Sequence, residues 1–275
     1  MMKIDLQEHF LRCFLTVALT ASSGAASAQV SPFDPQEGLN VVALGLGSAP
    51  DYLGSADNQG VIAPTARYYF SGRRYAQLLG PQLSVNVLDH PVFQFGPQLV
   101  VRAKRDDDVD DEVVRRMRSI DTTPEAGVFA AATWPLGVDP RQRIGVRGDV
   151  QGGDNGVNGT LTFNYFHPVS RAVTLNIGGG LGFSDSEWAE TYFGVRGSDV
   201  ALFPSRVGSP YSPSGGLMDN RLNFSAIVNL SPNWIVAAGG RYQRLTGDAA
   251  DSPIVRERGD RNQWIFGLAV GYAWQ

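Results

Sequence analysis

The chain has 275 residues, a formal charge of −4, one cysteine and 43% hydrophobic residues. Its acidic balance lacks the basic stripe of a nucleic-acid binder. Beyond residue 28 no 18 consecutive residues are apolar, which excludes a transmembrane helix.

Residues 1–28 read as a cleaved secretory signal. Lys3 and Arg12 give a basic start, Phe14 to Ala21 a short apolar stretch, and Ala26-Ser27-Ala28 a small-residue cleavage site before Gln29. The single cysteine, Cys13, leaves with that signal, so the mature chain has no disulfide framework, thiol nucleophile or thiolate metal site. Residues 29–275 then form one domain.

The first strand is expected over Leu39 to Gly47, and the first outer loop over Ser48 to Asn58. The glycines of ALGLGSAPDYLGSADN do not make a dinucleotide fingerprint, because Pro50 follows closely and no helical pattern comes after. RYAQLLGPQLSVNVL (74–88) counts as two short strands turning at Gly80-Pro81. RIGVRGDV sets Ile144, Val146 and Val150 opposite Arg143, Arg147 and Asp149. RAVTLNIGGGLGF (171–183) and RLNFSAIVNL (221–230) alternate in the same way. NWIVAAGGRYQR sets Trp234, Val236, Ala238 and Tyr242 opposite Arg241 and Gln243. The closing QWIFGLAVGYAWQ puts Trp264, Phe266, Leu268, Val270, Tyr272 and Trp274 on one face, and only Ile, Gly and Ala on the other.

Segments of about ten residues, apolar on one face and polar or small on the other, with aromatic residues near their ends, are the pattern of a transmembrane β-barrel. A water-soluble sandwich would show a wet, polar second face instead. Short joints at 89–91, 135–140, 167–170 and 231–233 alternate with longer links at 104–122, 154–156, 185–214 and 247–261, as short periplasmic turns alternate with longer outer loops. The expectation is an all-β, antiparallel barrel of about 12 strands, with 10 as the alternative if the halves of 74–88 do not cross.

Two sets of candidate residues follow from the alternation. Arg67, Arg102, Arg147, Asp149, Arg221 and Arg241 are expected to line the lumen, either as an anion-favouring pore or as a filling in which arginines pair with Asp149 and Asp219. A barrel of this size stands between filled and open interiors, and the filled lumen is the expectation. Trp234, Tyr242, Trp264, Phe266, Leu268, Tyr272 and Trp274 are expected to face lipid. His90 and His167 each precede a proline at short turns; no acid is placed to orient either as a base, and no His or Cys cluster has metal-ligand spacing. No catalytic residue, metal or cofactor is expected. The acidic run DDDVDDE (106–112) reads as a solvated loop.

The opening ALGLGSAPDYLGSADN with Pro64 and Tyr68, IDTTPEAG (120–127), ETYFGV (190–195) and the closing GLAVGYAWQ together resemble the MipA/OmpV family of outer-membrane proteins. The chain departs from a usual barrel ending, since Trp274 is penultimate and Gln275 last. The resemblance implies a non-enzymatic outer-membrane barrel. It further implies a scaffold bringing a lytic transglycosylase together with a murein synthase. A small-solute channel and a surface adhesin or stress protein are the alternatives. Membrane lipid is the other expected partner, and oligomeric state stays open.

Overall fold

The computed structural model describes residues 38–206 and 209–275; the expected signal, with its cleavage point at Ala28/Gln29, lies outside them. Twelve antiparallel strands close into one barrel, each paired with its chain neighbours and the last with the first. They are β1 (Asn40–Pro50), β2 (Asn58–Ser71), β3 (Arg74–Leu79), β4 (Gln82–Asn86), β5 (Phe93–Arg102), β6 (Thr123–Pro135), β7 (Arg143–Gly153), β8 (Gly156–Pro168), β9 (Val173–Ser184), β10 (Gly216–Asn229), β11 (Trp234–Leu245) and β12 (Asn262–Trp274). Closure runs from Asn40 opposite Trp274 to Ser48 opposite Phe266. Such closure leaves no free sheet edge along that seam, which a hydrocarbon surround requires. The first strand runs three residues further than its sequence pattern suggests, to Pro50, because Ser48, Ala49 and Pro50 continue the pairing with β2.

The short halves of 74–88 are separate strands of six and five residues joined at Gly80 and Pro81, where Gly80 takes a left-handed φ of 54°. That count settles twelve strands against ten. The Gly80 amide donates to the Pro64 carbonyl at 2.8 Å, so the hairpin stops level with a residue that has no N–H to leave unpaired.

Alternation becomes an inside and an outside. On β12, Phe266, Leu268 and Val270 are 48%, 64% and 51% exposed, while Ile265 and Ala269 on the alternate positions are buried. Trp264 and Tyr272 on the same outer face pair across to Tyr242 and Trp234 of β11. Ring centroids in those two pairs lie 4.8 and 5.4 Å apart. Eight residues of strand separate the pairs, about 27 Å along the chain and about 20 Å of height at the usual barrel tilt, close to the apolar band between two aromatic girdles. Exposed apolar side chains in such number on every long strand are tolerated against lipid and not against water.

The long links are not plain loops. The β9–β10 connection carries helix α1 (Ser186–Phe193), and the β11–β12 connection carries α2 (Gly247–Asp251) and α3 (Pro253–Arg258). Asp185 caps α1, accepting from the Trp188 amide at 2.8 Å. Their apolar sides meet in two small cores. One joins Ile120, Trp188, Tyr192, Phe193, Met218, Leu245 and Val255; the other joins Tyr52, Val109, Val114, Met117, Val195, Phe203 and Ile254. Together the connections form a folded lid over the outer mouth.

Candidate functional site: the barrel lumen

Lumen positions alternate with lipid-facing ones, so each strand presents every second side chain inward. In the outer half these make a continuous chain of hydrogen bonds. The Gln82 amide of β4 donates to Gln98 Oε1 of β5 at 2.8 Å, and Gln98 donates to Gln151 Oε1 of β7 at 2.7 Å. Gln151 donates to Asn158 Oδ1 of β8, whose amide donates to Glu125 Oε2 of β6 at 2.9 Å. Five neighbouring strands, β4 to β8, are thereby tied along one side of the lumen, in an order in which each amide polarises the next. A space of only about 30 Å³ is left between them and Asp219, Arg221 and Gln243 on the facing strands.

Glu125 is the hub. It is fully buried and pairs with Arg102 at 2.9 Å. Its second oxygen accepts from the Trp188 indole of α1 at 3.1 Å, which links the barrel wall to the lid. Arg102 also donates to Asn158 Oδ1 at 2.8 Å and lies 5.6 Å from the Trp188 ring. A buried carboxylate is stable only when paired and hydrogen-bonded, and this one is both.

The other inward arginines are likewise engaged. Arg147 pairs with Asp149 at 2.7 Å, donates to Gln98 at 3.1 Å and lies over the Phe129 ring at 4.0 Å. Arg221 grips Asp219 through two nitrogens at 2.6 and 3.0 Å, and Arg241 is buried on the next strand. Arg67 donates to Gln77 Oε1 and lies 4.8 Å from the Tyr75 ring. All six candidate lumen residues therefore stand on inward positions. Of the seven outer-face candidates, Trp234, Trp264, Phe266, Leu268 and Tyr272 are exposed, while Tyr242 and Trp274 are half-buried at the ends of the wall.

Below the glutamine chain the periplasmic half of the lumen holds a cavity of about 200 Å³, bordered by Arg67, Arg147, Asn164, Asn176 and Asn223 among others. His90 and His167 lie apart from it. His90 accepts from the Val92 and Phe93 amides and so closes a turn, and His167 contacts Tyr165 at 3.0 Å.

The acidic run is a correction. Asp107, Asp108, Asp110 and Glu112 are exposed as a solvated loop requires, but the run as a whole is not. Asp111 is buried, pairs with Arg258 of α3 at 2.8 Å and caps the Val114 turn by accepting from the Val113 and Val114 amides. Burial alone would raise its pKa, but Arg258 and the two amides hold it below the ordinary carboxylate value. Lys104 pairs with Asp106 and Asp108 at 2.5 and 2.6 Å. Arg105 of the same connection is buried in the lid, where desolvation lowers its pKa to about 10 and its Nη1 donates to the Tyr192 carbonyl. Sequence reasoning did not single out Glu125, the three glutamines or Trp188. The available signal was their parity: Gln82, Gln98, Glu125 and Gln151 all fall on inward positions of alternating strands.

A closed twelve-strand wall with an apolar, girdled outer face and a polar interior defines a transmembrane β-barrel of the outer-membrane type. The family model described as MltA-interacting protein MipA matches residues 42–274, and the chain belongs to that family. It is similar to the outer membrane protein OmpV of Vibrio cholerae serotype O1, 28% identical over 110 residues. That alignment spans 40% of this chain and 40% of OmpV. Among solved structures, the NanC porin superposes with a TM-score of 0.48 at 8% identity, covering 85% of this chain and 98% of the porin. An outer-membrane channel from Pseudomonas putida F1 gives 0.48 at 10% identity, covering 91% and 100%. The protein resides in the outer membrane, with its short turns toward the periplasm.

Proposed function

We propose that this barrel is a non-enzymatic scaffold whose periplasmic turns present a docking platform to peptidoglycan-remodelling enzymes, a lytic transglycosylase together with a murein synthase. The observation that carries the reading is the double closure of the lumen, by the Glu125-centred network and by the folded lid. A barrel built for continuous flux has no use for a polar network that, lining one side of the bore, leaves only about 30 Å³ before the facing strands. The turns themselves favour the reading. Arg141, anchored to Asp139 at 2.6 Å, donates to the carbonyls of Ser170 and Arg171 at 2.8 and 2.9 Å, joining two neighbouring turns into one surface. Val138 and Val169 stand exposed beside that joint.

The test is capture of the purified transglycosylase and synthase by the refolded barrel. Val138→Asp and Arg141→Ala are expected to weaken capture while leaving the barrel folded. Capture indifferent to both variants would count against the platform. A second reading, a gated conduit, draws on the cavity in the periplasmic half, and conductance recording separates the two.

A further inference from the structure

We propose that the periplasmic half of the lumen is a binding site for a single sugar ring bearing hydroxyl and amide groups. The site would serve the barrel whether or not the turns dock an enzyme. Access follows from the closure above: the glutamine chain and lid shut the outer route, so the ligand arrives from the periplasm. The cavity of about 200 Å³ is the share of liquid volume of roughly seven waters, a size suited to one ring rather than to an oligosaccharide or a protein segment.

The chemistry is that of an amide-rich wall. Three consecutive strands, β8, β9 and β10, each bring an asparagine to the cavity: Asn164, Asn176 and Asn223. Register places Gly178 between Asn164 and Asn223, opposite both. A Cβ there would lie 2.3 Å from Asn164 Oδ1, so only glycine leaves that amide its position. Asn176 stands opposite Phe166 on one side and Ser225 on the other. A side-chain amide offers donors and acceptor together, which matches hydroxyls that also do both.

The observation pointing to a ligand is Asn176 itself. It is 9% exposed, borders the cavity, and its Nδ2 has no hydrogen-bond partner among the described residues. A buried donor without a protein partner is left for whatever occupies the cavity, so this amide is free to meet a group that enters from the periplasm. The Arg147–Asp149 pair at the upper border, at 2.7 Å, supplies further donors and acceptors for ring hydroxyls.

The test uses the refolded, full mature barrel in detergent, titrated with N-acetylglucosamine and, as a control lacking hydroxyl and amide groups, benzoate. Saturation-transfer spectra and calorimetry read binding. N-acetylglucosamine is expected to bind and benzoate not to. Asn223→Ala should weaken binding roughly three- to tenfold, the loss of one neutral hydrogen bond. The discriminating variant is Asn176→Leu, close in volume and free of the unpartnered donor. It should unfold at the same or higher urea concentration than the parent, yet bind N-acetylglucosamine about tenfold more weakly. A merely structural Asn176 would instead lose stability on becoming leucine. No binding by the parent barrel at millimolar sugar, equal binding of benzoate, or unchanged affinity in Asn176→Leu would each overturn the proposal.

Discussion

Replacing Glu125 by alanine tests the closure of the lumen at its hub. Glu125 is fully buried and serves three donors at once: Arg102 at 2.9 Å, Asn158 at 2.9 Å and the Trp188 indole at 3.1 Å. Removing one partner of a buried ion pair costs about 3–5 kcal/mol, chiefly because the other charge stays behind in a poorly solvated place. Here the Asn158 and Trp188 donors also lose their acceptor, so the upper part of that range applies to Glu125→Ala. Glu125→Gln keeps shape and an acceptor and is expected to cost about 1–3 kcal/mol. The double variant Glu125→Leu with Arg102→Leu removes both charges and is expected to cost much less than Glu125→Ala, since a buried pair and an apolar pair of similar volume are often nearly equal. Urea unfolding of the refolded barrel in lipid vesicles, followed by tryptophan fluorescence, measures all three. A cost below about 1 kcal/mol for Glu125→Ala, or a double variant less stable than the single, would refute the view that this carboxylate holds wall and lid together.

Three further outcomes follow. Leu268→Arg, near mid-membrane on the outer face of β12, should cost about 2–4 kcal/mol, whereas Trp264→Arg and Tyr272→Arg nearer the interfaces should cost about 0–1 kcal/mol in charge placement; urea unfolding in vesicles that gave a flat profile would remove the lipid-facing assignment. Because Asp111 is held below its ordinary pKa, the stability it lends the lid through Arg258 is fully present above the unfolded carboxylate value near pH 4 and is lost as pH falls through the lower folded value. Protection factors for hydrogen exchange over residues 106–117, taken against the intrinsic rate at each pH, should therefore be high at pH 7 and fall below about pH 4, and Asp111→Asn should show low protection at both. Gly127→Val should block folding into vesicles, since even a Cβ there would lie 2.0 Å from the Val150 carbonyl oxygen; normal folding of that variant would contradict the β6–β7 register.

The wall of the barrel was legible because lipid on one side and a packed polar lumen on the other enforce period two residue by residue. Trp264 to Trp274 shows this best, with an uninterrupted outer face. Loop-length parity added the strand count, including the split at Gly80-Pro81. The lid was not legible. Helix α1 is only eight residues long and α2 and α3 shorter still, too brief for a helical period to stand out, and they hold together through contacts with other connections. The lumen was half legible: inward arginines announced themselves as charges on an otherwise alternating strand. Gln82, Gln98 and Gln151 did not, because a neutral amide at an inward position looks the same whether it meets water or another amide. Asp111 departs from the solvated reading of its run, while Asp107, Asp108, Asp110 and Glu112 are exposed as expected; its partner Arg258 lies 147 residues away.

The central claim, that this outer-membrane barrel is closed and acts through its periplasmic face, is tested most directly by planar-bilayer recording of the refolded barrel. The account predicts no steady single-channel steps from the parent barrel, and steps only when the hub is broken, as in Glu125→Ala. Steady conductance from the parent, with an anion preference that Arg147→Ala and Arg221→Ala abolish, would contradict it and make the protein a channel.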